Sequence, residues 1–335
     1  MGDGRLGPIL PHGSVSKFAV PMHYNRGMNE TDDLIRRRVL LALAANRVPG
    51  FHYPGHLLGC EWPRVGADDL EETLPDTPCA RNVDGTINLC AFGILLDTAL
   101  ATASRLKTEP GTRQATVHLH AQFTGAPLRG VLRGHAHMHG RTAEVAIPQS
   151  LTSATFYSGI EPVCRASATF VILPPPPGVT IGPLPWQRQD IATVKPPKAR
   201  DLAPDERAAL RACNAALRRA DGQHAFIEHF WGALPVATEA GARCTVKIGV
   251  QHSNRVGHVQ GGLLVGLAAT TAQAAAPRHR QLSAVAAWFI SPGQGRRLKI
   301  VSKRFHEGRS FAAVRTEIRN DDGSRVLEVV SHHAA

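Results

Sequence analysis

Aromatic residues are scarce in this chain, at 5% of its 335 residues, and they do not alternate with basic residues along any helix-like segment. Neither a paired Cys/His finger nor another nucleic-acid-binding signature is present. The chain nevertheless has 38 Lys and Arg against 27 Asp and Glu, a formal net charge of +11. Because these positive charges are scattered, we expect the anionic partner to be a phosphate-bearing small molecule, and no nucleic acid.

Paired cysteines and long apolar runs are also lacking. The six cysteines are dispersed without a C-x-x-C pair, which predicts reduced core thiols in a cytoplasmic protein. Residues 1–27 lack the apolar core of a signal peptide, and the most apolar stretch, 261–276, is too short to cross a bilayer. We therefore expect no membrane association. Residues 1–27 are rich in Gly, Pro and His and precede Met28, so we interpret them as a disordered extension or a misassigned start.

Several catalytic signatures are missing. The chain has no G-x-S-x-G, Walker loop, G-x-G-x-x-G after a strand or H-E-x-x-H, which argues against serine hydrolases, nucleoside triphosphatases, dinucleotide enzymes and zinc proteases. His135, His137 and His139 alternate as on one face of a strand, but no carboxylate or Cys completes a ligand set, so we predict no metal site. We interpret His332 and His333 as a frayed terminus.

One segment of the chain occurs twice. Residues 82–97 (NVDGTINLCAFGILLD) and 254–269 (NRVGHVQGGLLVGLAA) both open with Asn-x-x-Gly and continue into an apolar, small-residue helix, 172 residues apart. The first copy ends on Asp97, whereas the second has Ala269 there. Because an acid on an apolar helix is unfavourable to bury, Asp97 is a candidate functional residue.

The order of predicted elements also repeats. In the first half we predict helices at 31–46 and 88–106 and strands at 113–123, 128–139, 142–158 and 161–173. In the second we predict helices at 204–220 and 260–276 and strands at 225–238, 242–251, 281–291, 295–306, 309–320 and 324–333. We divide the chain into an extension (1–27), a first unit (28–173), a Pro-rich linker (174–203) and a second unit (204–335). The FHYPG segment at 51–55 is interpreted as a connecting loop without a counterpart in the second half.

These patterns predict an α+β fold in which each antiparallel sheet curls around its own apolar helix. In their order and spacing, the motifs resemble the hotdog-fold acyl-CoA thioesterases in a tandem, double-hotdog form. The resemblance is carried by N-x-x-G-x-x-Q-G-G at 254–262, F-x-x-P at 289–292 and G-R-S at 308–310, which is similar to the phenylacetate-pathway branch. The first half matches through Asn82, Gly85, Asp97, Phe123 and Gly140-Arg141.

The resemblance implies where the site would lie. In such proteins the acid of one unit faces the helix N-terminus of the other, which implies one composite site built from Asp97, Gln260, Gly261 and Gly262. The reciprocal pair, Asn88 and Ala269, lacks an acid. The implied roles are catalytic for Asp97, Gln260, Gly261, Gly262 and Asn254, and substrate-binding for Asn88, Arg141, Gly308, Arg309 and Ser310. The implied substrate is an acyl-CoA, with no further cofactor and with pairing of pseudo-dimers into a homodimer.

The chemistry suits these residue types. Backbone N–H groups at a helix N-terminus can polarise a thioester carbonyl, and glycines allow its close approach. Asp97 would act as nucleophile or general base, and both alternatives stay open. Other interpretations are a hydratase or dehydratase, which would need a well-placed His beside the acid, and a non-catalytic acyl-CoA-binding protein. The two glycines could also serve helix packing alone, and Asn82 and Asn254 could merely hold their loops.

Overall fold

The computed structural model describes residues 27–48, 52–109, 111–142, 145–175, 177, 178, 180–184 and 194–335. The predicted extension at 1–27 lies outside these residues, apart from Gly27, which begins the first helix. No helix of the described part is both long and apolar enough to cross a membrane. The six cysteines are free, and all except the partly exposed Cys60 are buried, as predicted for core thiols.

The two halves repeat one order of elements. The first half consists of α1 (Gly27–Asn46), α2 (Tyr53–Leu58), β1 (Glu61–Val65), β2 (Asp69–Leu74), α3 (Leu89–Arg105), β3 (Arg113–Phe123), β4 (Leu132–Arg141), β5 (Gln149–Ser158) and β6 (Glu161–Leu173). The second half consists of α4 (Pro204–Arg219), α5 (Phe226–Trp231), β7 (Val236–Thr238), β8 (Gly241–Lys247), α6 (Gly261–Ala275), β9 (Gln281–Phe289), β10 (Arg297–Glu307), β11 (Phe311–Asn320) and β12 (Arg325–Ala334). The boundaries of the predicted units and linker stay a prediction.

All the described strands form one antiparallel sheet. Its order is β1-β2-β4-β5-β6-β3-β9-β12-β11-β10-β8-β7, so both halves follow the same order from the outer edge to the middle. The halves join where β3 pairs with β9, from His118 opposite Trp288 to Gln122 opposite Ala284. This arrangement relates the halves by a pseudo-two-fold axis, and it places equivalent residues on opposite sides of the junction.

The central helices α3 and α6 meet through glycines. A Cβ atom added at Gly262 would lie 2.0 Å from the carbonyl oxygen of Gly93, and one added at Gly93 would lie 2.4 Å from that of Gly262. A Cβ atom at Gly266 would likewise lie 2.4 Å from the Cα atom of Cys90. The small-residue composition of both helices therefore lets their backbones touch, and this contact brings the N-terminus of α6 beside the middle of α3.

The predicted strand at 225–238 is wrong over most of its length. Residues Phe226–Trp231 form helix α5, and only Val236–Thr238 is a strand. Phe226, Ile227, Phe230 and Trp231 are buried, which is helical spacing, but six residues are too few for the period to be distinguished from a strand.

The interpretation of FHYPG as an unrepeated loop is also wrong. His52 caps helix α2, its Nδ1 accepting a hydrogen bond from the Gly55 N–H at 3.2 Å. Both α2 and α5 have six residues, and each ends at a glycine in the left-handed region, Gly59 (φ 77°) and Gly232 (φ 69°). The two helices are counterparts, with His56 and Gly59 matching His229 and Gly232 at a spacing of 173 residues, so the sequence does carry this part of the repeat.

One strand prediction and the interpretation of the terminal histidines need correction. The strand predicted at 142–158 begins only at Gln149, and residues 143 and 144 lie outside the described part. The terminal histidines are not frayed, because β12 continues to Ala334 between β9 and β11, and His333 is completely buried. Pairing with the neighbouring β11 and with the more distant β9 orders these residues.

Candidate active site

Asp97 lies in the middle of α3, and it is 6% exposed. Its Oδ2 accepts hydrogen bonds from Nε2 of Gln260 at 2.8 Å and from the backbone N–H of Gly262 at 3.1 Å. Its Oδ1 accepts a third from Oγ1 of Thr116 at 2.9 Å. A carboxylate of the first half is therefore held by a side chain and a helix N-terminus of the second half.

Gln260 is positioned from both ends of its amide. It is the N-cap of α6, where its Oε1 accepts a hydrogen bond from the N–H of Leu263 at 2.7 Å. An amide that accepts through oxygen must donate through nitrogen, so the cap turns Nε2 toward Asp97. Local helix capping thus orients the group that contacts the acid.

The paired glycines serve the acid and the helix contact together. A Cβ atom added at Gly261 would lie 3.0 Å from Oδ2 of Asp97. A Cβ atom added at Gly262 would lie 2.8 Å from the Cβ atom of Asp97. The N–H of Gly262 donates to Oδ2 of Asp97, and Gly262 also lies in the close contact between α3 and α6. The predicted catalytic role of Gly262 stays a prediction.

The environment of Asp97 alters its acidity. Burial raises the pKa of this carboxyl from its ordinary value of 3.8 to about 6, while the hydrogen bonds from Thr116, Gly262 and Gln260 act in the opposite direction. An acid with a pKa close to neutrality is ionised at neutral pH and is a stronger base than an exposed aspartate.

A cavity of about 390 Å³ lies beside Asp97. Both halves line it, with Asp97, Thr116 and Phe170 from the first and Gln260, Gly261 and Leu264 from the second. Asn254 also faces it, and its Oδ1 accepts the N–H groups of Val256 and His258, each at 3.0 Å. These bonds show Asn254 holding its loop, and its predicted catalytic role stays a prediction.

The reciprocal position holds no acid. Ala269 is buried at 4% exposure. Asn88 caps α3 by accepting the N–H of Cys90 at 2.8 Å and donates from Nδ2 to Asn82 at 2.7 Å. Where α6 begins with two glycines, α3 begins with Leu89 and Cys90, whose side chains occupy the equivalent positions. The two helix N-termini are therefore chemically different.

The predicted substrate-binding residues do not line this cavity. Arg141, at the end of β4, donates to the carbonyl of Lys107. The Gly308 carbonyl accepts a hydrogen bond from Arg280, and the turn with Arg309 and Ser310 is exposed. Neither these residues nor Asn88 is brought together with Asp97, and their binding role stays a prediction.

Several residues of the cavity are not among those predicted from the sequence. Thr116 contacts Asp97, while His52, Arg105, Arg113 and Arg255 line the cavity. Arg255 lies within the repeated Asn-x-x-Gly loop, so its position was a usable signal. His52 and His258 share the cavity with Asp97, which bears on the hydratase interpretation because that activity needs a histidine beside the acid.

Glu72, on β2, is a second buried acid close to the site, with no exposed surface. Burial raises its pKa to about 8, and the nearby charge of Asp97 adds to this. Oγ1 of Thr98 lies 2.6 Å from Oε1 of Glu72 and 2.7 Å from the Ile94 carbonyl oxygen. One hydroxyl hydrogen cannot serve two acceptors, so a neutral Glu72 that donates from Oε1 to Thr98 accounts for both contacts of the Thr98 hydroxyl.

Replacing Glu72 with Gln is expected to change how stability depends on pH. Because the folded-state pKa of about 8 lies above the ordinary value of 4.5, folding takes up a proton in that window, and stability is lost as the pH rises through it. Between pH 6 and pH 9, the free energy of unfolding should therefore decline less in Glu72→Gln than in the wild type. The two declines should differ by on the order of 3 kcal/mol. Chemical denaturation at both pH values measures this. Glu161→Gln, at an exposed site, is the matched control, and identical declines in both variants would refute the neutral Glu72.

Within the described residues, no three His, Cys, Asp or Glu side chains are grouped so that they could hold a metal ion. His135, His137 and His139 share the exposed face of β4. Nε2 of His135 lies 3.0 Å from Oε2 of Glu71, and Nε2 of His139 lies 2.7 Å from Oγ of Ser153. The prediction that the protein uses no metal stays a prediction.

Comparison with known proteins gives a partial family match. Residues 250–334 match the model of the acyl-CoA thioesterase N-terminal domain. The chain is similar to a structure from Lactobacillus plantarum described as an oleoyl thioesterase (12% identity, 81% of this chain and 98% of that chain, TM-score 0.50). It is also similar to a TesB protein of Mycobacterium avium subsp. paratuberculosis (14% identity, 82% and 95%, TM-score 0.47). A phenylacetic acid degradation-related protein from Ralstonia eutropha JMP134 matches a smaller part (24% identity, 35% and 87%, TM-score 0.31). The comparison with curated proteins finds no match.

These comparisons confirm the predicted α+β fold of two tandem hotdog units. The family match confirms the resemblance to acyl-CoA thioesterases and the prediction of a thioester hydrolase. The matched segment includes Gln260, Gly261 and Gly262 but not Asp97. It therefore covers one side of the candidate site, and the acid comes from the other half of the chain.

Proposed function

We propose that the protein hydrolyses an acyl-CoA thioester to the free acid and CoA at a single site between its two halves. The hydrogen bond between Asp97 and Gln260 is the observation that carries this proposal, because it joins the acid of one half to the helix cap of the other. The adjoining cavity is large enough for an acyl group, and its apolar and polar lining is typical of a small-molecule site.

Water activation suits this arrangement better than direct attack by Asp97. Oδ2 already accepts two hydrogen bonds, whereas Oδ1 accepts one from Thr116 and can accept another from a water molecule. Asp97 takes a proton as the water oxygen bonds to the carbonyl carbon. The C–S bond then breaks, and the proton passes to the departing thiolate sulfur. Gln260 and Thr116 orient the base throughout.

The rate should depend on the ionisation of Asp97. We expect kcat/KM to fall about tenfold per pH unit below pH 6, because only the ionised carboxylate can accept a proton. Thr116→Ala should move this inflection to higher pH, since the Thr116 hydrogen bond lowers the pKa of Asp97. Thr116→Ser keeps the hydroxyl and should leave the inflection of the pH profile at its wild-type position. A flat profile across this range, or a shift to lower pH in Thr116→Ala, would contradict the role of Asp97 as base.

A hydratase is the second candidate, because His52 and His258 line the same cavity as Asp97. His52 already uses Nδ1 to cap α2, and burial lowers its pKa well below the ordinary value, so its ring is neutral. Loss of enoyl-CoA absorbance without release of free thiol would favour the hydratase, whereas thiol release from saturated acyl-CoA favours the hydrolase. The cytoplasmic location and the pairing of pseudo-dimers stay predictions.

A further inference from the structure

Three arginines face the cavity beside Asp97. Arg105 lies at the end of α3, Arg113 at the start of β3, and Arg255 in the loop that precedes α6. Among the described residues, none of them lies within ion-pair distance of a carboxylate, although other arginines of the chain form such pairs. The cavity therefore concentrates positive charge that the described part of the chain does not neutralise.

All three arginines are half-buried, and two of them have a buried nitrogen without a hydrogen-bond partner in the described residues. These nitrogens are Nη1 of Arg255 and Nε of Arg113, whereas Nη1 of Arg105 donates to the Thr112 carbonyl at 3.1 Å. Burial, together with the charge of Arg105, lowers the pKa of Arg255 to about 9, while Glu72 acts in the opposite direction. Two guanidinium groups that disfavour each other in one cavity are stabilised when an anion lies between them.

The acids of the cavity do not supply this anion. Asp97 is held by donors from Thr116, Gln260 and Gly262. Glu72, whose charge interacts with Arg255, is completely buried and neutral at neutral pH by the argument above. A guanidinium nitrogen that is buried without a partner in the described residues, such as Nη1 of Arg255, is unfavourable, so a ligand that brings a carboxylate would gain a charge-assisted hydrogen bond there.

We propose that the acyl group of the substrate ends in a carboxylate, which Arg255 binds together with Arg105 in this cavity. This inference rests on the proposed thioesterase function and names its substrate class, the CoA thioesters of dicarboxylic acids. The alternative source of anionic charge is the CoA phosphates. Arg255 interacts electrostatically with the buried His52 and Glu72, and so lies among groups enclosed by protein. That position suits one carboxylate better than several hydrated phosphates.

Binding of non-hydrolysable thioether analogues tests the proposal independently of turnover. The adipoyl and hexanoyl analogues of CoA have equal carbon counts and differ by the terminal carboxylate. Calorimetry on the full chain should show tighter binding of the adipoyl analogue, by about tenfold or more, as expected for a hydrogen bond to a charged group. Arg255→Gln should remove this preference and leave the hexanoyl analogue and CoA itself unaffected, while Arg255→Lys should keep part of it.

Each other outcome overturns the proposal. Equal affinities for the two analogues in the wild type would exclude a carboxylate site. A weaker affinity for CoA itself in Arg255→Gln, with the preference intact, would assign the arginine to a phosphate. Arg243→Gln, on the exposed face of β8, is the matched control and should bind as the wild type does. Thiol release from hexanoyl-CoA shows separately whether the thioesterase function itself holds, because it does not require the terminal carboxylate.

Discussion

Asp97→Asn is expected to lower kcat/KM for thioester hydrolysis by about 10²–10⁴-fold, the usual contribution of a general base. The amide cannot accept the proton of the attacking water. The asparagine side chain should otherwise fit in the place of Asp97. Its oxygen can accept the hydrogen bonds from Gln260 and Gly262, and its nitrogen can donate one to Oγ1 of Thr116. Release of free thiol from a panel of short, aromatic and long acyl-CoAs measures the effect.

Asp33→Asn provides the matched control for this substitution. Asp33 is exposed on α1, so its loss should leave turnover unchanged. The thermal midpoints of both variants should stay close to that of the wild type, which separates a catalytic from a folding defect. Wild-type rates in a folded Asp97→Asn variant would contradict the role of Asp97 as the general base.

Gly262→Ala is expected to produce the largest loss of stability, about 3 kcal/mol or more. Its Cβ atom would lie 2.0 Å from the Gly93 carbonyl oxygen and 2.8 Å from Cβ of Asp97, so backbone must move to admit it. Overpacking of a buried site typically destabilises by about 1–3 kcal/mol, and rigid backbone places this site at the upper end. Chemical denaturation measures the change in the free energy of unfolding, provided that the wild type and the variant have the same dependence of this free energy on denaturant concentration.

Gly222→Ala is the control for the intrinsic effect of replacing a glycine. No atom lies within 4 Å of a Cβ atom added there, and its backbone is not in the left-handed region. We expect a change within about 0.5 kcal/mol, as is usual for surface positions. Equal effects at Gly222 and Gly262 would mean that α3 and α6 do not touch as described.

The repeat and its central helices were predictable because their signals are local. The two Asn-x-x-Gly loops each contain a glycine in the left-handed region, Gly85 (φ 78°) and Gly257 (φ 84°), and each precedes a long apolar helix. Asp97 stood out since an acid on such a helix is unusual. The proximity of Asp97 and Gln260 followed from the resemblance rather than from any local pattern.

The remaining features depend on contacts between distant parts of the chain. Thr116 contacts Asp97 because β3 lies against α3 in the fold. Nothing in the sequence around Thr116 indicates this contact. Arg255 lines the cavity with His52 and Arg105 only because the two halves of the chain come together there. Helix α5 is too short to show a period, and the order of His333 comes from pairing on both sides of β12.

A double-mutant cycle on Asp97 and Gln260 tests the composite site most directly. Thiol release is measured for the wild type, Asp97→Asn, Gln260→Ala and the double variant. If the two residues act as one unit, their effects are not additive, and the double variant should be no slower than Asp97→Asn by more than about threefold. Effects that multiply, or a Gln260→Ala variant with wild-type turnover, would contradict a single site built from both halves.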